Sequence, residues 1–414
     1  MLLIKNIGAI YGARHESLSP LRGIEMSDDA RVDDAFLVID GERISHWGQM
    51  AELPSESDFQ RVIDARGGLV IPAFCDSHTH IVYAGSREGE FCDKIDGLSY
   101  EEIAARGGGI LNSADRLHDT TEDELFRQAI ARVRQVMAKG TGTLEIKSGY
   151  GLTVEDEIKM LRVIRRIAQA EPSLEVRSTF LGAHAVGRAY TGRQKEYVDM
   201  LVAEMLPAVA AEGLADFVDV FCDRGFFTVE ETARILEAAA KYGMRPKIHA
   251  NELAISGGVQ VGVAHNAVSV DHLERMGAEE IETLVNSSTI PTMLPGASFF
   301  LGMPYGPARD SIAAGLPVAL ASDYNPGSSP SGCMRFVWAL GCIKMRLSPV
   351  QALNAVTVNG SAAMDCLDRT GSITPGKFAS LIITNPVPSL SYIPYAYTEP
   401  WISRVILKGR DLTF

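Results

Sequence analysis

The stretch Leu69-Val70-Ile71-Pro72-Ala73-Phe74-Cys75-Asp76-Ser77-His78-Thr79-His80 decides how this chain is read. A short apolar run predicts a buried strand, and two imidazoles follow it one residue apart. Side chains at i and i+2 of an extended chain point the same way. His78 and His80 should therefore project together from the strand's end, as two ligands of one divalent ion must.

Working outward, seven more short apolar or β-branched runs follow, at 141–146, 175–181, 217–221, 246–249, 267–270, 289–293 and 318–321. Most are about 20 to 35 residues apart, the length of a βα unit. Helical periodicity fills the gaps at 122–139, 155–169, 194–211, 228–242 and 278–286. Eight strands alternating with helices predict an α/β fold, a (β/α)8 TIM-type barrel, whose chemistry gathers where the strands end. Here the runs end in His78/His80, Tyr150, His184, Asp223, His249/Glu252, His272, Pro295 and Asp323. Packing alone does not place reactive side chains repeatedly at one end.

The flanks read differently. Segments 2–10, 35–39 and 43–47 are β-rich, with Asp40-Gly41 as a hairpin turn, and 379–384 and 403–407 return to that style. Residues 1–65 plus 366–414 are expected to form a small β-sandwich domain, leaving 66–365 for the catalytic barrel. The insertion from Ile81 to about Asp119 is long and carries Arg87 and a Gly107–Gly109 run, a turn or flap hinge.

Composition narrows the function. The 414 residues suit one large barrel with an appended domain. A net charge of −13 offers no footprint for nucleic acid or an anionic membrane, so an anionic substrate needs a local cation. Six scattered cysteines without a C-x-x-C pair fit a reducing compartment. No segment nears the roughly 20 apolar residues of a membrane span, and the expectation is a soluble, cytoplasmic protein.

His78, His80, His249 and Asp323 make a three-nitrogen, one-oxygen set suited to zinc or ferrous iron. An ion there would lower the pKa of a water from about 15.7 toward 7. Glu252 lies three residues after His249, so a tight turn or first helical turn lets both face one cavity. It is a proton carrier there, or else a capping-box glutamate. His272 is a second acid/base candidate, for the water or the carbonyl under attack, or else a structural histidine bonded to Asp271.

Five segments together carry a resemblance: Asp76-Ser77-His78-Thr79-His80, Glu145-Ile146-Lys147-Ser148-Gly149-Tyr150-Gly151-Leu152, Phe180-Leu181-Gly182-Ala183-His184-Ala185, Asp271-His272-Leu273-Glu274 and Ser322-Asp323-Tyr324-Asn325-Pro326-Gly327-Ser328-Ser329-Pro330. They resemble the imidazolonepropionase family of the metal-dependent amidohydrolase superfamily, over essentially the whole chain. The His-x-His pair and the last-strand Asp are superfamily features, whereas Lys-Ser-Gly-Tyr-Gly-Leu and Asp-Tyr-Asn-Pro-Gly-Ser are narrower. The resemblance implies hydrolysis of 4-imidazolone-5-propanoate to N-formimidoyl-L-glutamate in histidine degradation, by water attacking the ring carbonyl. It implies that His78, His80, His249 and Asp323 bind one Zn2+ or Fe2+ and that Glu252, His272 and Asp323 serve catalysis. Arg87 would pair with the propionate, Tyr150 and His184 would hydrogen-bond ring or product, and Asn325, Gly327 and Ser328 would meet the new carboxylate. Many amidohydrolases bridge two metals with a carbamylated lysine at the end of strand four. This chain has Phe221-Cys222-Asp223 there, so one metal is expected. The partners implied are a small anionic substrate and a homodimer, with no nucleic acid and no membrane.

Two rivals stand beside that reading. A purine or pyrimidine deaminase of the same superfamily would share the metal set but has no use for Arg87, because a neutral base needs no guanidinium. A non-catalytic scaffold on this fold should have lost ligands, and all four are present.

Overall fold

The computed structural model describes residues 1–16, 19–98, 102 and 108–412. Gly107, in the glycine run considered as a hinge, lies outside the described residues.

Eight parallel strands form the barrel, each hydrogen-bonded to the next in chain order. They are β6 (Phe74–Asp76), β7 (Thr141–Lys147), β8 (Glu175–Ala183), β9 (Phe217–Cys222), β10 (Arg245–Ala250), β11 (Ser269–His272), β12 (Ile290–Met293) and β13 (Ala319–Leu320). All eight expected runs are strands, and His78, Tyr150, His184, Asp223, Glu252 and Asp323 follow at one rim. Between β6 and β13 the ring closes just past the strand ends. Asp323 N donates to His78 O at 3.0 Å and His80 N to Tyr324 O at 2.9 Å.

The helices that cover the barrel follow from their sequences. In Glu122–Ala138, Leu125, Ala129, Ile130, Val133, Val136 and Met137 are buried on one stripe, as a 3.6-residue period requires. Thr121 caps that helix, accepting from Glu124 N at 3.3 Å, and three acidic residues in the first turn complement its dipole.

Both termini share a second sheet, as expected. It contains β1 (Leu2–Ile10), β2 (Val32–Asp40), β3 (Arg43–Gln49), β4 (Arg61–Asp64), β5 (Leu69–Pro72), β14 (Leu381–Thr384), β15 (Ile402–Leu407) and β16 (Arg410–Leu412). Its strands enclose an apolar cluster of their own, including Ile4, Leu37, Ile63, Val70, Leu381 and Ile406.

One boundary differs from the expectation. The run 69–75, read as the first barrel strand, is two strands, and β5 belongs to the terminal sheet although it lies past residue 65. It pairs with β1 on one side and β14 on the other. Ala73 N still donates to Ser380 O of that sheet at 3.0 Å, whereas Phe74 N already donates to Gly140 O of the barrel at 2.9 Å. An apolar run buried on both faces is the same in either sheet, so hydrophobicity alone could not show the switch. Among the described residues, no helix is long and apolar enough to cross a membrane.

Candidate active site

At the closed rim three imidazoles converge. His78 Nε2 and His80 Nε2 lie 3.3 Å apart, and His249 Nε2 is 3.4 Å from His80 Nε2. Asp323 Oδ1 stands 3.6 Å from both His78 Nε2 and His80 Nε2. His78 donates Nδ1–H to Asp271 at 2.7 Å, and His249 Nδ1 is 2.9 Å from Asp219. His78 therefore turns a lone pair inward at Nε2, and the carboxylate beside His249 Nδ1 favours the same tautomer there. Burial first, then the charges of Lys147 and the neighbouring rings, holds His78 well below the usual imidazole pKa; burial and His184 do the same for His80. Three buried Nε2 atoms crowded this closely suit a shared cation. The 3.3–3.4 Å separations also match the edge of a tetrahedron with metal–nitrogen bonds of about 2.0–2.1 Å. The donor set fits a single divalent ion.

Strand geometry explains how these groups meet. His78 and His80 share a side because the chain stays extended past β6. At β11 the alternation breaks: Asp271 points inward to His78, and the next residue, His272, faces the same cavity. A left-handed backbone, φ +83° at His272 and +69° at Leu273, turns it there. Asp323 is also left-handed, at φ +54°. Such conformations cost about 1–3 kcal/mol each and concentrate at functional sites.

His272 Nε2 is 3.6 Å from Glu252 Oε2, and its Nδ1 is 3.5 Å from Glu274 Oε2. Asp271 is thus the partner of His78 rather than of His272. Burial alone would lower the His272 pKa, but the carboxylates of Glu252 and Glu274 outweigh it and hold the ring well above its usual value. Burial pushes Glu252 up to about 7, eased by His272. Glu252 is no helix cap, since the next helix starts only at Gly258. Asp223 sets its loop, accepting from Leu253 N at 2.8 Å and Ala254 N at 3.2 Å.

Tyr150 and His184 line the same cavity, of about 870 Å3. His184 donates Nδ1–H to Gly149 O at 2.9 Å and stacks on His80. Glu157 fixes the loop before it, accepting from Gly149, Gly151 and Leu152 N–H groups at 2.8–3.1 Å. Arg87 lines the cavity too, but Nε and Nη2 already donate to Glu90 at 3.0 and 2.6 Å. Its guanidinium lies against Gly327, where any Cβ would collide with it. Asn325 Oδ1 accepts from Gly327 N at 2.7 Å and Ser328 N at 2.8 Å, and Ser328 Oγ donates to Asp323 Oδ2 at 3.2 Å. This loop thereby aims the Asp323 carboxylate.

The profile of the amidohydrolase family matches residues 69–412. Imidazolonepropionase of Flavobacterium johnsoniae is 52% identical over 408 residues, covering 99% of each chain. The chain belongs to the imidazolonepropionase family of amidohydrolases. Imidazolonepropionases of Symbiobacterium thermophilum and Alkaliphilus oremlandii are 43% and 39% identical, each matching at least 93% of both chains. Among solved structures, the zinc complex of atrazine chlorohydrolase from Arthrobacter aurescens superposes with a TM-score of 0.76 at 16% identity, covering 100% of this chain and 95% of that one. A zinc-bound adenosine deaminase from Xanthomonas campestris superposes at 0.67 and 15%, covering 99% and 92%. These distant structures share the fold.

Beneath the imidazolonepropionase-family site lies a network that its motifs do not announce. Lys147 Nζ donates to Glu145 at 2.7 Å and Asp219 at 2.8 Å. Lys247 Nζ donates to Ser77 O at 2.9 Å and to Glu145, and both lysines stand 3.7 Å from Asp271. All five charged residues are fully buried. Glu145 ties the two lysines together, and the lysines hold the two aspartates that orient His78 and His249. A signal is present in the sequence: Glu145-Ile146-Lys147 and Lys247-Ile248-His249 put charges at alternate positions of strands buried on both faces. Buried charges persist only when paired.

Proposed function

We propose that the chain opens the ring of 4-imidazolone-5-propanoate with water, giving N-formimidoyl-L-glutamate. What carries the reading is one cavity lined by both the imidazole–carboxylate cluster and Arg87, in a chain whose full-length relatives are imidazolonepropionases. His78, His80, His249 and Asp323 would hold one divalent ion, zinc or ferrous iron, since this donor set accepts either. That ion supplies Lewis acidity to water and carbonyl oxygen.

The remaining work falls to side chains. Glu252, with a pKa near 7, accepts a proton from the attacking water and returns it to the ring nitrogen as the C–N bond breaks. His272, held as a cation by two carboxylates, donates toward the carbonyl oxygen. Burial lowers His184 to about 3; the neutral ring uses its proton on Gly149 and leaves Nε2 to accept from the substrate's ring N–H. The Tyr150 hydroxyl hydrogen-bonds the same ring. Arg87 pairs with the propionate through the edge left free by Glu90. The barrel, residues 66–365 without β5, would carry all of this, with the terminal sheet as its support. Six unpaired cysteines fit work in the cytoplasm.

An ultraviolet assay following loss of the imidazolone chromophore, with and without chelator, tests the reading. Chelator-sensitive turnover is expected; turnover of purines or pyrimidines instead would sink it. Arg87→Met should chiefly raise KM, by the equivalent of roughly 1.5–3 kcal/mol, as a charge-assisted bond is lost. An unchanged KM would remove the propionate assignment. Asp219→Asn should weaken metal affinity about 10- to 100-fold, the usual loss when a ligating histidine's partner changes. Competition with a chromogenic chelator measures it, and wild-type affinity would free Asp219 of that role.

A further inference from the structure

The cavity is lined by more positive charge than one arginine. Lys94 also lines it, seven residues after Arg87 and hence on the same face of the helix Glu88–Ile95. Its Nζ donates to Gly327 O at 3.2 Å, on the same glycine the Arg87 guanidinium lies against. The ammonium stands 5.5 Å from the Phe300 ring centroid. Glu90 is bound to Arg87, and its other oxygen accepts from Gly109 N and Asn112 Nδ2, each at 3.1 Å. Among the described residues no carboxylate forms an ion pair with Lys94. Among the described residues, Glu90 is the carboxylate whose charge acts on Lys94, and it is already bound to Arg87, in a chain with net charge −13. Burial and the repulsion of Arg87 both push the Lys94 pKa down, which an incoming anion would relieve.

We propose that Lys94 is a second carboxylate-binding group, which leaves the Gly327 carbonyl and grips the substrate's tail carboxylate together with the Nη1 edge of Arg87. The proposal rests on the function proposed above and adds a specificity residue to it. An ammonium has three rotatable donors and a flexible stem, so it can exchange a carbonyl for a carboxylate without moving the backbone.

The test uses two unreactive probes, 3-(imidazol-4-yl)propionate and its amide, titrated calorimetrically into metal-loaded wild type, Lys94→Met and Lys94→Arg. Wild type should prefer the carboxylate. In Lys94→Met that preference should fall about tenfold or more, with amide affinity unchanged, and Lys94→Arg should restore it. A smaller fall, equal weakening of both probes, or no preference in wild type would overturn the proposal; equal weakening would make Lys94 a prop for the Gly327 loop. Because neither probe reacts, failure to turn over imidazolone propionate would count against the proposed function and leave this result readable.

Discussion

His249→Ala is expected to yield a folded protein that neither retains the ion nor turns over substrate, with kcat/KM down by about 10³-fold or more. The substitution removes one of three converging imidazoles, so the remaining donors no longer enclose a cation. It does not strand a buried charge, because Asp219 stays paired with Lys147 at 2.8 Å. Loss of function can therefore be separated from loss of fold. Metal content by mass spectrometry and a thermal melt on the same sample check both halves. Wild-type metal content or turnover in this variant would end the assignment of the cluster as a metal centre.

Glu252→Gln should behave in the opposite way, keeping the ion and losing about 10²- to 10⁴-fold in kcat. Glutamine preserves size and still accepts a hydrogen bond, but it cannot take the proton from water. Glu252 stands outside the cluster of His78, His80, His249 and Asp323, so metal content should not change. A further signature is electrostatic. Glu252 is the leading influence raising His272, so its neutralisation should lower the pKa of that ring, which histidine NMR can follow. Turnover near the wild-type rate would shift the proton work to His272.

Much of the barrel, and the convergence of the four candidate ligands at one rim, is legible in the order of the residues alone. The His-x-His pair, the eight-fold strand count and the reactive residue at most strand exits suffice for both, because strand period and βα spacing are local properties. What is not legible depends on contacts between distant segments. The break at Ala73 is hidden because a run buried on both faces looks alike in either sheet. The engagement of Arg87 by Glu90 cannot be read from Ser-Arg-Glu-Gly-Glu, where either glutamate or the solvent could be its partner. Asn325, Gly327 and Ser328 read as donors to a product carboxylate, but their groups are largely spent on one another and on Asp323. The Glu145–Lys147–Lys247 network is visible as charge at alternate positions of inner strands, and it emerges only when strand burial is weighed alongside the motifs.

The rung between His78 and Asp323, with its neighbour between His80 and Tyr324, has one more consequence. Three of the four proposed ion-holding residues sit on the two segments that join the beginning of the cylinder to its end. A cation shared across that join would act as a rivet between residues from opposite ends of the barrel's chain. Metal loss and opening of the seam would then be one coupled event, and the centre proposed for the chemistry would also keep the ring shut.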